Sequence, residues 1–259
     1  MKIRIGIFFL AVIVSLLTAC AYKEPATPEN SGTEQVEEII TEPPTQPPTQ
    51  PPTQPTVTAP RTLSVLLEAN GLGLQALEAL GCRQLVTVTA SGSSAQIDLY
   101  ILEDYQWSKQ EALSCAGYVG LRGTREQKCE GDKATPKGLF SVEQAFYIQQ
   151  APETGLESFQ ITADTYWIDD PGSVYYNKRI EGVENKDWLS AEHMASYGAA
   201  YEYGFVIGYN LDGVPYAGSA IFFHVGNGAT SGCVATQKTF VLQYLAALSK
   251  TENPYILIS

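Results

Sequence analysis

The chain has 259 residues, 44% of them hydrophobic, and a formal net charge of −12 at pH 7. That length and apolar content suffice for one or two domains with a buried core. The acidic balance repels phosphate backbones, which argues against nucleic acid as a partner and against a polybasic grip on a membrane surface.

Lys2 and Arg4 precede an apolar run from Ile5 to Leu17. The run is short of the roughly 20 residues a membrane-spanning helix needs, and its basic start and small-residue exit predict a signal peptide over residues 1–19. The exit, Leu17-Thr18-Ala19-Cys20, is similar to a bacterial lipobox, in which Cys20 receives a diacylglycerol thioether. The expectation is an extracytoplasmic protein held to the bacterial membrane by acyl chains alone. Residues 20–60 show no apolar periodicity and carry three copies of Pro-Pro-Thr-Gln between Pro43 and Gln54. Proline at that density fixes φ and removes donors, predicting an extended spacer of about 3.1 Å per residue.

From Arg61 to Ser259 the composition is globular and uninterrupted, which predicts one domain over 61–259. Short β-prone runs dominate: Gln84 to Ala90, Ala95 to Leu102, Leu139 to Ile148, Phe205 to Tyr209, Ala220 to Val225 and Tyr255 to Ile258. Gly73 to Leu80 predicts two helical turns, and Ser190 to Tyr201 a helix interrupted at Gly198. The clearest helix follows Cys233, with Thr236 as N-cap and an apolar face of Phe240, Val241, Tyr244, Leu245 and Leu248, ending near Lys250. The fold class is therefore mainly β with a few packed helices. An exported setting permits disulfides, and the spacing of Cys115 and Cys129 suits one, with Cys82 left over.

Chemistry concentrates in Ser219 to Thr236, which reads S-A-I-F-F-H-V-G-N-G-A-T-S-G-C-V-A-T. Ser231 and Gly232 let the backbone approach a substrate, and the amides of a tight turn suit a developing oxyanion. A helix starting just after Cys233 favours thiolate there. The alternative is a buried structural cysteine. His224 closes an apolar strand at its rim, either as a general base for the thiol or as a satisfied core histidine. The chain holds two histidines. His193, His224 and Cys233 lack the spacing of a zinc site, so no metal and no cofactor are expected.

Together these motifs resemble the catalytic domain of the L,D-transpeptidases (YkuD-type), with a histidine on a strand followed by a Gly-Cys turn. Glu130-Gly-Asp-Lys-Ala-Thr-Pro-Lys-Gly-Leu-Phe140 is similar to that family's Thr-Pro-x-Gly-x-Phe element, and Trp167-Ile-Asp-Asp-Pro-Gly-Ser-Val-Tyr-Tyr-Asn177 to a further block of secreted members. The resemblance implies a β-sandwich-like fold and attack by Cys233 on a tetrapeptide stem of peptidoglycan. His224 would be the base, oriented by a backbone carbonyl near Val225, with the amides at Ser231, Gly232 and Cys233 as the oxyanion hole. Tyr176, Asn177 and His193 would lie at the cleft, with Glu192 beside them or capping a helix. The Thr135-Pro136 and Asp169-Asp170 pairs read as turn chemistry. The chain departs from the family at Ser231, where a second histidine is usual, at Ala235, where a basic residue or Asn is usual, and in a shorter His-to-Cys spacing. Lys178, Arg179 or Arg122 would then grip the substrate carboxylate. A monomer acting on wall peptides is expected, with a peptide hydrolase and a non-catalytic wall-binding module as the alternatives.

Overall fold

The computed structural model describes residues 55–259; the expected leader, the lipid-bearing Cys20 and the repeats up to Gln54 lie outside the described residues. Regular structure begins slightly before the expected boundary, because Thr58 exchanges backbone hydrogen bonds with Tyr105 and Trp107. Two short helices follow, α1 (Arg61–Ala69) and α2 (Leu74–Ala79). The first half of the β framework is β1 (Gln84–Ser91), β2 (Ser94–Glu103), β3 (Gln106–Lys109), β4 (Cys115–Tyr118), β5 (Thr124–Arg125), β6 (Thr135–Pro136), β7 (Gly138–Tyr147) and β8 (Ser158–Gln160). The second half is β9 (Thr165–Ile168), β10 (Arg179–Glu181), β11 (Ala191–His193), β12 (Tyr203–Ile207), β13 (Phe222–Val225), β14 (Val234–Thr236), the helix α3 (Lys238–Ala247) and β15 (Tyr255–Ile258).

The principal sheet runs β1-β15-β7-β12-β13-β14-β4-β2, and the β1–β2 pairing closes it on itself. The sandwich-like expectation thus resolves into a closed sheet, which leaves no free edge along that path. β3 and β8 attach outside it, on β2 and β7. The β1–β2 hairpin turns at Gly92, whose φ of 62° is open to glycine at little cost. β9, β10 and β11 form a separate small sheet.

Alternation of side chains across the sheet divides the core. Val86, Val88, Ile97, Leu99, Phe205, Phe223, Val234 and Ile256 point to one interior, which Val241, Tyr244 and Leu245 of α3 complete. Leu85, Tyr100 and Leu257 point the other way and are covered by Leu63, Leu67 and Leu77 of α1 and α2. β1 is buried on both faces from Gln84 to Val88 for that reason. Phe222, next to Phe223, faces a third cluster with Phe146, Trp167, Met194 and Tyr201.

Three expectations are corrected. Thr236 is not a helix cap: it is the last residue of β14, its hydroxyl donates to the Ala116 carbonyl, and α3 starts at Lys238 and ends at Ala247. Ser190 to Tyr201 is β11 followed by a 3-10 segment broken at Gly198 (φ 51°), because Ala191 to His193 pair with β9. Cys115 and Cys129 are not bridged: Cys115 is buried on β4 against Thr236, Cys129 is exposed, and both are free thiols.

Phe223 is fully buried and stacks on Phe205 at 4.7 Å. Phe223→Ala is expected to cost about 3–5 kcal/mol in urea unfolding. Val65→Ala, on the exposed side of α1, should stay within about 0.5 kcal/mol; equal effects would show that Phe223 is not a core anchor.

Candidate active site

β13 and β14 are parallel neighbours, paired Phe223 to Val234 and His224 to Ala235. The sequence reading of a simple turn between them is therefore replaced by a crossover. Parallel neighbours normally need a dozen or more residues to connect; here the residues from Gly226 to Cys233 suffice because both strands are short. The return limb is anchored from outside, with Thr230 N–H donating to the Val119 carbonyl and Leu121 N–H to that of Thr230. The crossover brings Cys233 back to the level of Phe222, one position before the Phe223–Val234 pair. Side chains alternate along each strand, so Cys233 and His224 emerge on the same face as diagonal neighbours.

The backbone at the cysteine is held tightly. Its carbonyl accepts from the Thr230 hydroxyl at 2.6 Å and from the Thr135 hydroxyl at 3.1 Å, while Thr135 accepts from the Gly120 N–H at 2.7 Å. The thiol accepts from the Phe222 N–H at 3.3 Å and donates to the Ala220 carbonyl at 3.2 Å. Its partners are thus main-chain groups rather than the imidazole. Burial pushes the Cys233 thiol up to about 12, with the negative charge of Glu192 adding to the shift and the Phe222 N–H and Lys128 opposing it. The expected thiolate-favouring helix terminus is absent at this position, since β14 separates Cys233 from α3.

His224 Nδ1 lies 2.9 Å from the Val225 carbonyl. A carbonyl only accepts, so Nδ1 carries a proton and Nε2 is the basic nitrogen in the neutral ring. Burial lowers the imidazole pKa, and the carbonyls of Val225 and Ala200 work against that shift. The Tyr201 ring stands edge-on to the imidazole at 5.4 Å. In the resting site both the thiol and the imidazole are neutral.

Both groups line a cavity of about 660 Å³. The lining includes Glu130, Asp169 and Glu192 with Tyr197 and Tyr201; Lys128 is beside the Cys233 turn, next to Gly232. Burial raises the Glu192 carboxyl to about 7; the Tyr201 hydroxyl, donating at 2.6 Å, opposes the rise, and Asp169 and Glu130 add to it. Asp169 is raised as well, first by burial, and its Oδ1 is buried with no hydrogen-bond partner. Among the described residues no group of three or more His, Cys, Asp or Glu side chains is placed to hold a metal.

No protein-family model and no curated protein matches the chain. Among solved structures it is similar to the helical cell shape determining protein Pgp2 from Campylobacter jejuni, at 15% identity and a TM-score of 0.38. A mutant of that protein gives a TM-score of 0.36 at the same identity. Each match covers 68% of this chain and 47% of the other, so the chain spans about half the length of these neighbours.

The structure brings together some of the sequence-predicted residues and not others. Cys233, His224, Ser231 and Gly232 share the cavity. The Gly232 N–H, however, donates to the Thr230 hydroxyl at 3.1 Å, so that amide is already engaged and does not face an oxyanion. Tyr176 and Asn177 do not line the cavity; they sit behind it. Tyr176 donates to Glu130 Oε2 and accepts from the Gly218 N–H. Asn177 accepts from Trp167 Nε1 and the Ala220 N–H and donates to the carbonyls of Tyr209 and Asn210. His193 is turned away, stacked on Tyr166 and bonded to the Ala163 carbonyl and Ser196. β11 pairs with β9, and alternation along β11 sends neighbouring Glu192 and His193 to opposite sides.

Sequence reasoning placed Asp169 in a turn and assigned no role to Lys128 or Tyr201. Asp170 does the turn work, accepting from the N–H groups of Gly172 and Leu189, while Asp169 faces the cavity. Of Lys178, Arg179 and Arg122, none lines it: Lys178 is exposed and Arg179 lies over the Phe159 ring beside Glu181. Ala235 is fully buried, and a Cβ at Gly226 would stand 2.9 Å from its methyl.

Two measurements follow from these protonation states. Cys129 should label first with a thiol reagent, and alkylation of Cys233 should rise about tenfold per pH unit up to at least about pH 10, because only thiolate reacts; a plateau near pH 8 would contradict the raised thiol. Glu192 has a folded pKa above its unfolded one, so the folded state loses stability as pH rises from the ordinary carboxyl range through about 7. Glu192→Gln should remove that loss, making the variant the more stable protein at pH 8 and not at pH 4; parallel pH curves would contradict it.

Proposed function

We propose that the chain is a cysteine acyltransferase of the L,D-transpeptidase type acting on peptidoglycan stem peptides, tethered outside the cell membrane through Cys20. The observation that carries this reading is that Cys233 and His224 share one face of adjacent parallel strands in a single cavity, with His224 Nδ1 bound to the Val225 carbonyl. Further support comes from the Thr135 hydroxyl on the Cys233 carbonyl, which joins the Thr-Pro-x-Gly block to the cysteine turn.

The neutral resting pair calls for general-base attack rather than a preformed ion pair. The thiol leaves the Ala220 carbonyl, gives its proton to His224 Nε2, and Sγ bonds to the penultimate carbonyl carbon of the stem. The carbon–nitrogen bond to the terminal D-alanine breaks as the imidazolium returns the proton to the departing amine, leaving a thioester. An amine from a second stem then resolves the thioester into a crosslink; water in its place gives a carboxypeptidase. The reaction uses no metal or cofactor, and one copy of the chain supplies both groups.

A second reading is favoured by one observation: the thiol is bonded to main-chain groups and the Gly232 amide to Thr230, an arrangement that suits a module binding wall peptides without turnover. Incubation of the full-length chain with disaccharide tetrapeptide, followed by mass analysis, separates the two. Loss of D-alanine with a thioester on Cys233, abolished in Cys233→Ala, is the expected result. Binding with no loss of D-alanine would sink the enzyme reading and leave the binding module.

A further inference from the structure

Resting on the proposed wall-peptide chemistry, we propose that Lys128 is the carboxylate anchor of the cavity, the cation that receives the free C-terminal carboxylate of the peptide. The Lys128 side chain is only 3% exposed yet lines the cavity. Its Nζ donates to Asp132 Oδ1 at 2.8 Å, its one acceptor among the described residues. An ammonium has three N–H donors, so two are left for a ligand.

The surroundings are shaped for this side chain. Gly218 (φ 104°) and Gly232 (φ 150°) flank it; a Cβ at Gly218 would stand 2.8 Å from Lys128 Cε, and one at Gly232 would stand 3.4 Å from Nζ. Any larger residue at Gly218 would therefore collide with the lysine stem, and one at Gly232 would crowd the ammonium beside the nucleophile's turn. Asp132 is itself fixed by the N–H groups of Cys129 and Ala134, and Arg125 lies 3.7 Å from its other oxygen. Asp132, so held, fixes the lysine in turn: swinging the ammonium away would break the contact to Oδ1 of a buried carboxylate.

Charge elsewhere in the cavity confines an anion to this place. Glu130 of the same loop, already engaged by the Tyr176 and Ser219 hydroxyls, and Asp169 and Glu192 make the rest of the lining acidic, Lys133 is exposed, and His224 is neutral. Ala235, two residues after Cys233, lines the cavity without a charge, and the buried cation comes from the 128–132 loop. A lysine preorganised by Asp132 and the two glycines suits a ligand charge present on arrival, as a carboxylate is. The site then reads the end of a peptide, and attack falls on the last peptide bond.

The test uses the full-length Cys233→Ala chain, which cannot turn over, and compares by calorimetry a stem tetrapeptide with its C-terminal amide. The acid is expected to bind at least tenfold more tightly. Lys128→Met with Asp132→Asn, which neutralises the pair together, should bring the two ligands to equal affinity, and Lys128→Arg should keep the preference. Equal affinity in the parent chain, or no binding of either ligand, overturns the proposal without any further variant, as does a preference that survives the double substitution. Thioester formation in the chain with Cys233 intact reads the chemistry separately. Acid preference without thioester leaves the anchor standing and removes the transfer reaction, whereas thioester formed equally from acid and amide removes the anchor.

Discussion

The parallel pairing of β13 with β14 is the constraint on which the site depends. A hairpin would have sent the chain after His224 straight back, with Cys233 antiparallel to its own strand. The short crossover instead returns the chain to the start of β13 and sets the cysteine on the histidine's face. That path is maintained from outside: Thr230 is held by the Val119 carbonyl just after β4, and Thr135 and Thr230 both grip the Cys233 carbonyl. The upstream Thr-Pro block and the small sheet of β9 to β11 are the supports of this one connection. Asn177 joins Trp167 of that sheet to Ala220, whose carbonyl receives the thiol proton.

Electrostatics follow from the same enclosure. Burial raises the thiol and the Glu192 carboxyl and lowers the imidazole, because the enclosure disfavours the charged form of each. Asp169 and Glu130 add to the rise at Glu192, and Glu130 to the rise at Asp169. Lys128 lies 2.8 Å from Asp132, whose carboxyl is held below its ordinary value because burial is outweighed by that ammonium and two backbone amides. The cavity therefore combines neutral reactive groups with one fixed cation, which is an environment for a charged ligand rather than for a charged nucleophile at rest.

Much of the framework was legible in the sequence because burial periodicity is local. The runs at Gln84, Ala95, Leu139, Ala220 and Tyr255 all mark strands, and the Phe240 to Leu248 pattern marks α3, since a face that must be buried writes its period into the chain. β3, β4 and β14 were missed: each is three or four residues long, too short to show a period, and exists because a neighbour supplies its hydrogen bonds. α1 was missed because its apolar face includes only Leu63 and Leu67 fully buried, and its partner strand is formed later in the chain.

For the site, residue type and spacing singled out Cys233, His224 and the carbonyl near Val225, because a nucleophile, a base and a tight turn are recognisable chemistry within a few positions of one another. Tertiary structure alone decided which neighbours face them. Asp169 and Asp170 are adjacent and chemically alike, yet one enters the cavity and the other caps a turn; Glu192 and His193 are parted by strand alternation. Lys128 sits in a stretch with no periodic signal, and only the fold, by threading its stem between two glycines, brings it beside the cysteine turn. The sequence by itself marked Cys233 and His224 as a candidate pair and determined the β character of the domain, both written in local pattern. The charge balance around that pair was decided by contacts between residues up to a hundred positions apart, which no local pattern encodes.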